Sequence, residues 1–240
     1  MPDNLENFFI TQTPTAARPL LGLTVLVVED SLFACEAMRL LCLRSGARIR
    51  RADSLKSAHR HLSVYQPVVV IVDLGLPDGS GADLIRELAH ATPRIQVLLG
   101  ISGDSEGQSI ALAAGADGFL EKPIINLAAF QAAVLAHLPA EQQPRGLRPV
   151  GDDEIAPDQL ALRDDLASIS DILTASSHDE KSLIYVAQFL TGVARLAKDD
   201  QLAGAARDLD QSCKNGRPVN QDVARIAGLV QDRLQHCKVV

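Results

Sequence analysis

Between residues 24 and 138 the apolar positions alternate between two periods. Short runs with almost no polar interruption are followed by stretches in which apolar residues recur every three or four positions. Thr24 to Val28 (TVLVV) reads as a first strand. Ser31 to Arg44 reads as a helix whose Phe33, Ala37, Leu40 and Leu41 share one face, and Gly46 closes it. Ala47 to Ala52 is a weaker strand, Leu55 to Tyr65 a helix, Val68 to Val72 a wholly apolar strand and Ala82 to His90 a helix. Gln96 to Ile101 (strand), Gly107 to Ala114 (helix), Gly118 to Glu121 (strand) and Asn126 to Leu138 (helix) complete the series. Strands without alternation must be covered on both faces, and each is followed by a helix, so the pattern predicts an α/β unit with a parallel five-stranded sheet between two helical layers.

The pattern ends at a linker. Residues 139 to 157 carry four prolines and two glycines with few large apolar groups. Beyond it only the helical period remains. Leu162, Leu166, Ile169 and Leu173 mark a first helix, and Leu183, Ala187, Leu190 and Ala194 a second. Leu202, Ala205, Ala206 and Leu209 mark a third, and Val223, Ile226, Ala227, Val230 and Leu234 a fourth. Ser177 with Glu180 is a capping box for the second, and Asn215-Gly216 before Pro218 stops the third. The chain thus divides into an irregular arm (1–20, with the apolar cluster Phe8, Phe9 and Ile10), an α/β domain (21–139), a linker (140–157) and an all-α four-helix bundle (158–238).

Composition adds exclusions. Formal charge is -2 over residues 1 to 150 (13 basic, 15 acidic) and -5 over 151 to 240 (10 basic, 15 acidic), which together make the -7 of the chain. Neither half has the basic excess of a nucleic-acid footprint, so no nucleic-acid partner is expected. No window has the roughly 18 apolar residues of a membrane span, and the N-terminus lacks a signal pattern, so a cytoplasmic protein with no membrane partner is expected. Cys35, Cys42, Cys213 and Cys237 have no CxxC spacing and read as reduced thiols.

Ligand sites of open parallel sheets lie outside the carboxyl ends of the strands. Here those ends carry Glu29 and Asp30, then Asp73, Ser102 and Lys122. Three clustered carboxylates repel and call for a cation, and all-oxygen ligation suits Mg2+. The Lys122 ammonium and the Ser102 hydroxyl then suit an incoming anion, and a phosphoryl group on Asp73 fits the set, with Asp73 standing just beyond its strand and exposed to donor and metal.

These residues carry a resemblance. Residues 22 to 138 resemble the receiver domain of two-component response regulators: VVED supplies the acidic pair, IVDLGLPDGSG the phosphoacceptor loop, GIS the hydroxyl position and FLEKP the lysine-proline turn. The resemblance implies a flavodoxin-like sheet of order 2-1-3-4-5 and phosphorylation of Asp73 by a sensor histidine kinase or a histidine-phosphotransfer protein. It also implies Mg2+ held by Asp30, Asp73 and the Gly75 carbonyl with Glu29 acting through water, a cis peptide before Pro123, and a switch in which Ser102 moves toward the phosphoryl group while Phe119 turns inward. Gly103 and Gly75 depart from the family, which usually has alanine at the first position and a longer side chain at the second.

A second resemblance covers Ile155 to Lys238. Histidine-phosphotransfer domains are four-helix bundles whose second helix carries A-H-x-L-K-G. Here that segment is similar to AQFLTG, Ala187 to Gly192, in which Gln188 replaces the histidine and Thr191 the lysine. An amide is not a nucleophile as imidazole is, so no phosphohistidine forms at this pseudo-phosphotransfer position, and His178 reads as a surface residue. Three outputs follow as alternatives. The bundle is an interaction module that docks on another receiver or a second copy of the chain; or it is a phosphatase whose Gln188 amide orients water toward an aspartyl phosphate; or, less favoured by the acidic third and fourth helices, it binds DNA.

Overall fold

The structure, a computed structural model, describes residues 13–145, 153–174 and 179–236. The arm cluster Phe8, Phe9 and Ile10, together with Ser177, His178 and Cys237, lies outside the described residues.

Five parallel strands form the central sheet in the order β2-β1-β3-β6-β7, the order expected from the sequence. They are β1 (Thr24–Val28), β2 (Arg48–Ala52), β3 (Val69–Asp73), β6 (Val97–Ser102) and β7 (Gly118–Glu121). A two-residue pair, β4 (Gly75–Leu76) and β5 (Gly79–Ser80), forms a small hairpin after β3 that the apolar pattern does not announce. Its turn residue Asp78 accepts hydrogen bonds from Leu55 N (2.8 Å) and Lys56 N (3.0 Å), capping helix α2 (Leu55–Leu62).

Alternate strand residues feed two separate cores. Val25, Val27, Val69, Ile71, Val97 and Leu99 pack with Leu41 of α1 (Leu32–Ser45) and with Phe130 and Val134 of α5 (Leu127–Leu135). Leu26, Val28, Val70, Val72 and Leu98 pack with Ala58 of α2, Leu84 and Ile85 of α3 (Gly81–His90) and Ala111 of α4 (Gly107–Ala114). Burying each such Val, Leu or Ile side chain is worth about 1.5–3 kcal/mol, so the strand interiors are rigid and their carboxyl ends are fixed in space.

Helix ends follow their local signals. Ser31 caps α1 by accepting from Ala34 N, and Gly46 ends it at φ 84°, a left-handed conformation natural to glycine. A Cβ at Gly81 would overlap the Asp73 carbonyl oxygen, so glycine alone lets α3 start this close to the end of β3.

Four helices occupy the C-terminal region: α6 (Gln159–Thr174), α7 (Glu180–Leu196), α8 (Asp200–Lys214) and α9 (Asn220–His236). Leu166, Ile169, Val186, Ala187, Leu190, Ala206, Leu209, Ile226 and Val230 form their common core. Asp179 caps α7, accepting from Ser182 N. Phe33 departs from the sequence reading. It lies on α1 of the α/β unit, yet its buried side chain joins the core of the four C-terminal helices. Asp153 to Ile155, within the stretch read as linker, bridges to Asn126, and Ile155 is buried in the sheet-side core. Cys35, Cys42 and Cys213 are buried free thiols, and burial pushes Cys42 up to about 12. No helix among the described residues is long and apolar enough to cross a membrane.

Candidate functional site

The carboxyl edge of the sheet gathers the residues that the motifs nominate. Glu29 and Asp30 follow β1, Asp73 is the last residue of β3, Ser102 the last of β6, and Lys122 follows β7. Parallel pairing fixes their depth: Asp73 aligns with Ile101, and Ser102 with Glu121. Lys122 Nζ lies 2.8 Å from Asp73 Oδ2 and 2.6 Å from Glu29 Oε2, so one ammonium joins the ends of two loops. Gly75 N reaches Asp73 Oδ1 at 3.4 Å, and Ser102 Oγ accepts from Asp104 N at 3.1 Å. Phe119 is half-buried against the second sheet-side core, and the Lys122–Pro123 peptide is cis.

Electrostatics in this pocket are unbalanced. One carboxylate oxygen from each of Glu29, Asp30 and Asp73 lies within 4.8 Å of the others. Burial raises Glu29 to about 8, although Lys122 opposes the shift, and raises Asp30 to about 6, against a hydrogen bond from Tyr185. Burial works against the charge of Lys122, but Asp73 and Glu29 hold it protonated well above the usual lysine range. Glu29 Oε2 is buried, with the Lys122 ammonium 2.6 Å away as its partner. Three carboxylates whose oxygens converge beside a single ammonium form an all-oxygen environment for a hard divalent cation, so these residues fit Mg2+.

Asp73 is not exposed, contrary to the sequence reading: its accessibility is 7 %. The cause is α7, which lies across the mouth of the pocket. Tyr185 Oη donates to Asp30 Oδ2 at 2.5 Å. Gln188 Oε1 sits 3.4 Å from where a Cβ on Gly75 would stand, so the amide lies directly over this residue of the phosphoacceptor loop. A Cβ built on Gly192 would stand 3.8 Å from Lys122 Cδ, and Arg195 Nη1 donates to the Gly103 carbonyl at 3.0 Å. Residues 185, 188, 192 and 195 recur at three- and four-residue steps, one face of one helix, and each meets a different loop of the sheet edge. Beneath that face remains a cavity of about 520 Å3 lined by Asp30, Asp73, Ser102, Lys122, Gln188 and Arg195.

A second clamp lies beside the pocket. Asp165 of α6, buried, accepts from Ser31 Oγ (2.7 Å), Leu32 N (2.8 Å) and Phe33 N (3.0 Å) at the N-terminus of α1. Sequence reasoning missed Tyr185, Arg195 and Asp165. Tyr185 and Arg195 do form a polar stripe in phase with Gln188, but periodicity says only that a face is polar, not what it meets.

A doubly wound parallel sheet with an acidic crevice and a lysine at its carboxyl edge defines the class to which this site belongs. Residues 25–134 match the family described as the response regulator receiver domain. That part of the chain is a response regulator receiver domain of a two-component system. The KDP operon transcriptional regulatory protein KdpE of Escherichia coli K12 is 33 % identical over 99 residues, 41 % of this chain and 44 % of that protein. Transcriptional regulatory protein PhoP of the same strain is 33 % identical over 100 residues, 41 % and 45 % of the two chains. The chain therefore matches less than half the length of these curated relatives. Among solved structures, the receiver domain of a sensor histidine kinase from Pseudomonas aeruginosa, with a magnesium ion coordinated in its active site cleft, is 20 % identical with a TM-score of 0.44, covering 48 % of this chain and 96 % of that one.

The relatives overturn one expectation. KdpE and PhoP are transcriptional regulatory proteins, whose task is carried out on DNA, so the reading that this chain has no nucleic-acid partner is withdrawn. Its physical weakness is plain: a region's net charge averages over faces and says nothing of a local basic surface or of an assembly.

Proposed function

We propose that Asp73 is the phosphoacceptor of this receiver, and that Glu29, Asp30, Asp73 and the Gly75 carbonyl hold Mg2+, which when bound supplies charge stabilisation to the transferring phosphoryl group. An Asp73 oxygen attacks phosphorus while the bond to the donor's imidazole nitrogen breaks. Lys122 stays beside the developing anionic oxygens, and Ser102 gives its hydroxyl to the same group as Phe119 shifts inward. The observation that carries this reading is the Lys122 ammonium bridging Asp73 and Glu29 within a cluster of three carboxylates whose oxygens lie within 4.8 Å of one another. Incubation with acetyl phosphate and Mg2+ is expected to add one phosphoryl mass, and chelation of Mg2+ to prevent it. A folded protein whose mass does not change under both conditions would overturn the assignment.

The C-terminal helices, read as a phosphotransfer-like bundle without its histidine, then serve as the module through which receiver state becomes protein contact. Regulation of transcription, as in the relatives, is a further output that this reading leaves in place. The contact between Gln188 and Gly75 favours a second activity: the amide holds a water in line with phosphorus, the water oxygen bonds to phosphorus, the bond to Asp73 breaks, and the water's protons leave with the phosphate. Gln188→Ala is expected to lengthen the life of phosphorylated Asp73 about tenfold while leaving the rate of labelling unchanged, since a misplaced water costs the hydrolysis step alone. Equal decay of both proteins, followed by phosphate release, would leave the helices as a contact module only.

A further inference from the structure

The docked α7 closes over a pocket whose charge is unbalanced. Glu29, Asp30 and Asp73 carry a formal -3 and Lys122 +1, so this cluster sums to -2. Covering it with a helix removes the water that would solvate this excess, and an uncompensated buried charge is among the costliest things a fold can keep. A divalent cation brings the sum to zero. Docking is therefore opposed when the pocket is empty of cation and unopposed when a cation is bound. Coupling of this kind is reciprocal: whatever factor the cation adds to docking, docking adds to the affinity for the cation.

Tyr185 gives that coupling its contact. Its hydroxyl donates to Asp30 Oδ2 across the interface. In this arrangement Asp30 Oδ1 is the oxygen assigned to the cation. A hydrogen bond to the non-ligating oxygen of a metal-binding carboxylate fixes the carboxylate's orientation, and loss of such a partner typically weakens metal affinity about 10- to 100-fold. The cavity of about 520 Å3 under α7 leaves room for a cation with several waters, so the helix covers the site without filling it.

We propose that the docked face of α7, with Tyr185 as positioning residue for Asp30, forms the outer half of the divalent-cation site, so that cation binding and docking of the C-terminal helices reinforce each other. This rests on the reading of Glu29, Asp30 and Asp73 as a Mg2+ site. Arg195, on the Gly103 carbonyl, contributes through docking alone, because it touches none of the three carboxylates.

The test is Mg2+ titration of the full chain by calorimetry, with hydrogen exchange at the Leu32 and Phe33 amides, which Asp165 holds across the interface, as the readout of docking. In the wild type Mg2+ is expected to slow exchange at both amides. Tyr185→Phe, which keeps the ring beside Phe189, is expected to bind Mg2+ about tenfold more weakly, and Arg195→Ala about threefold more weakly with the acidic cluster intact. Unchanged or tighter Mg2+ binding in Tyr185→Phe, or faster amide exchange in Mg2+, would overturn the proposal and make α7 a competitor of the cation. Absence of Mg2+ binding by the wild type, or binding that Asp30→Asn leaves unaltered, would instead remove the underlying cation site and the proposal with it.

Discussion

Asp73→Asn is expected to abolish covalent labelling by acetyl phosphate in Mg2+, leaving less than about a thousandth of the wild-type rate. The carboxylate is the attacking group, and an amide oxygen at the same place has neither its charge nor its nucleophilicity. Folding is expected to survive. The strand around position 73 is held by Val69 to Val72, all fully buried, and the substitution removes one of three mutually repelling carboxylates while Lys122 keeps Glu29 as its partner at 2.6 Å. A small change in thermal midpoint with complete loss of the added phosphoryl mass is thus the expected pair of results. Mass spectrometric mapping checks it: a phosphoryl group that still appears in the variant on another residue, such as Asp78 in the neighbouring turn, at the wild-type rate would remove Asp73 from its role.

Loss of one acceptor group is a local event, and local events were what the sequence announced best. Runs such as TVLVV and VVIVD, each followed by a helical period, fit strands of a parallel sheet buried on both faces, and because parallel strands all point one way the residue at the end of each run lands at the sheet's carboxyl edge. Glu29, Asp30, Asp73, Ser102 and Lys122 were legible for that reason. Hidden from the sequence was everything that depends on how two cores meet. Phe33 fits the helical period of α1 whichever core receives it, and only the packing of α6 and α7 against α1 decides the matter. Burial of Asp73 has the same origin, since a strand end reads as open until another element is laid across it. The hairpin Gly75 to Ser80 escaped because two-residue strands carry no period at all.

Asp165→Ala is expected to separate the two halves of the molecule at a cost of about 2–3 kcal/mol, the size expected for losing a buried charged hydrogen-bond acceptor. Asp165 reaches from α6 to the first turn of α1, a turn with no acidic residue of its own, and receives three donors there across more than 130 positions of sequence. Its negative charge also faces the positive end of that helix. Removal leaves the Leu32 and Phe33 amides and the Ser31 hydroxyl without this acceptor in a buried place, and water can reach them only if α6 moves away. The helix itself keeps its own cap, because Ser31 Oγ still accepts from Ala34 N at 2.9 Å. The loss therefore falls on the interface rather than on the receiver. Differential scanning calorimetry is expected to turn a single transition into two, with the earlier one belonging to α6–α9 and the later one close to the wild-type midpoint. A single transition shifted as a whole would mean that Asp165 supports the fold of α1 and not the docking. If the interface is what the carboxylate holds, Asp73 should also become more accessible, and labelling by acetyl phosphate at saturating Mg2+ should rise in the variant in which docking is weakened.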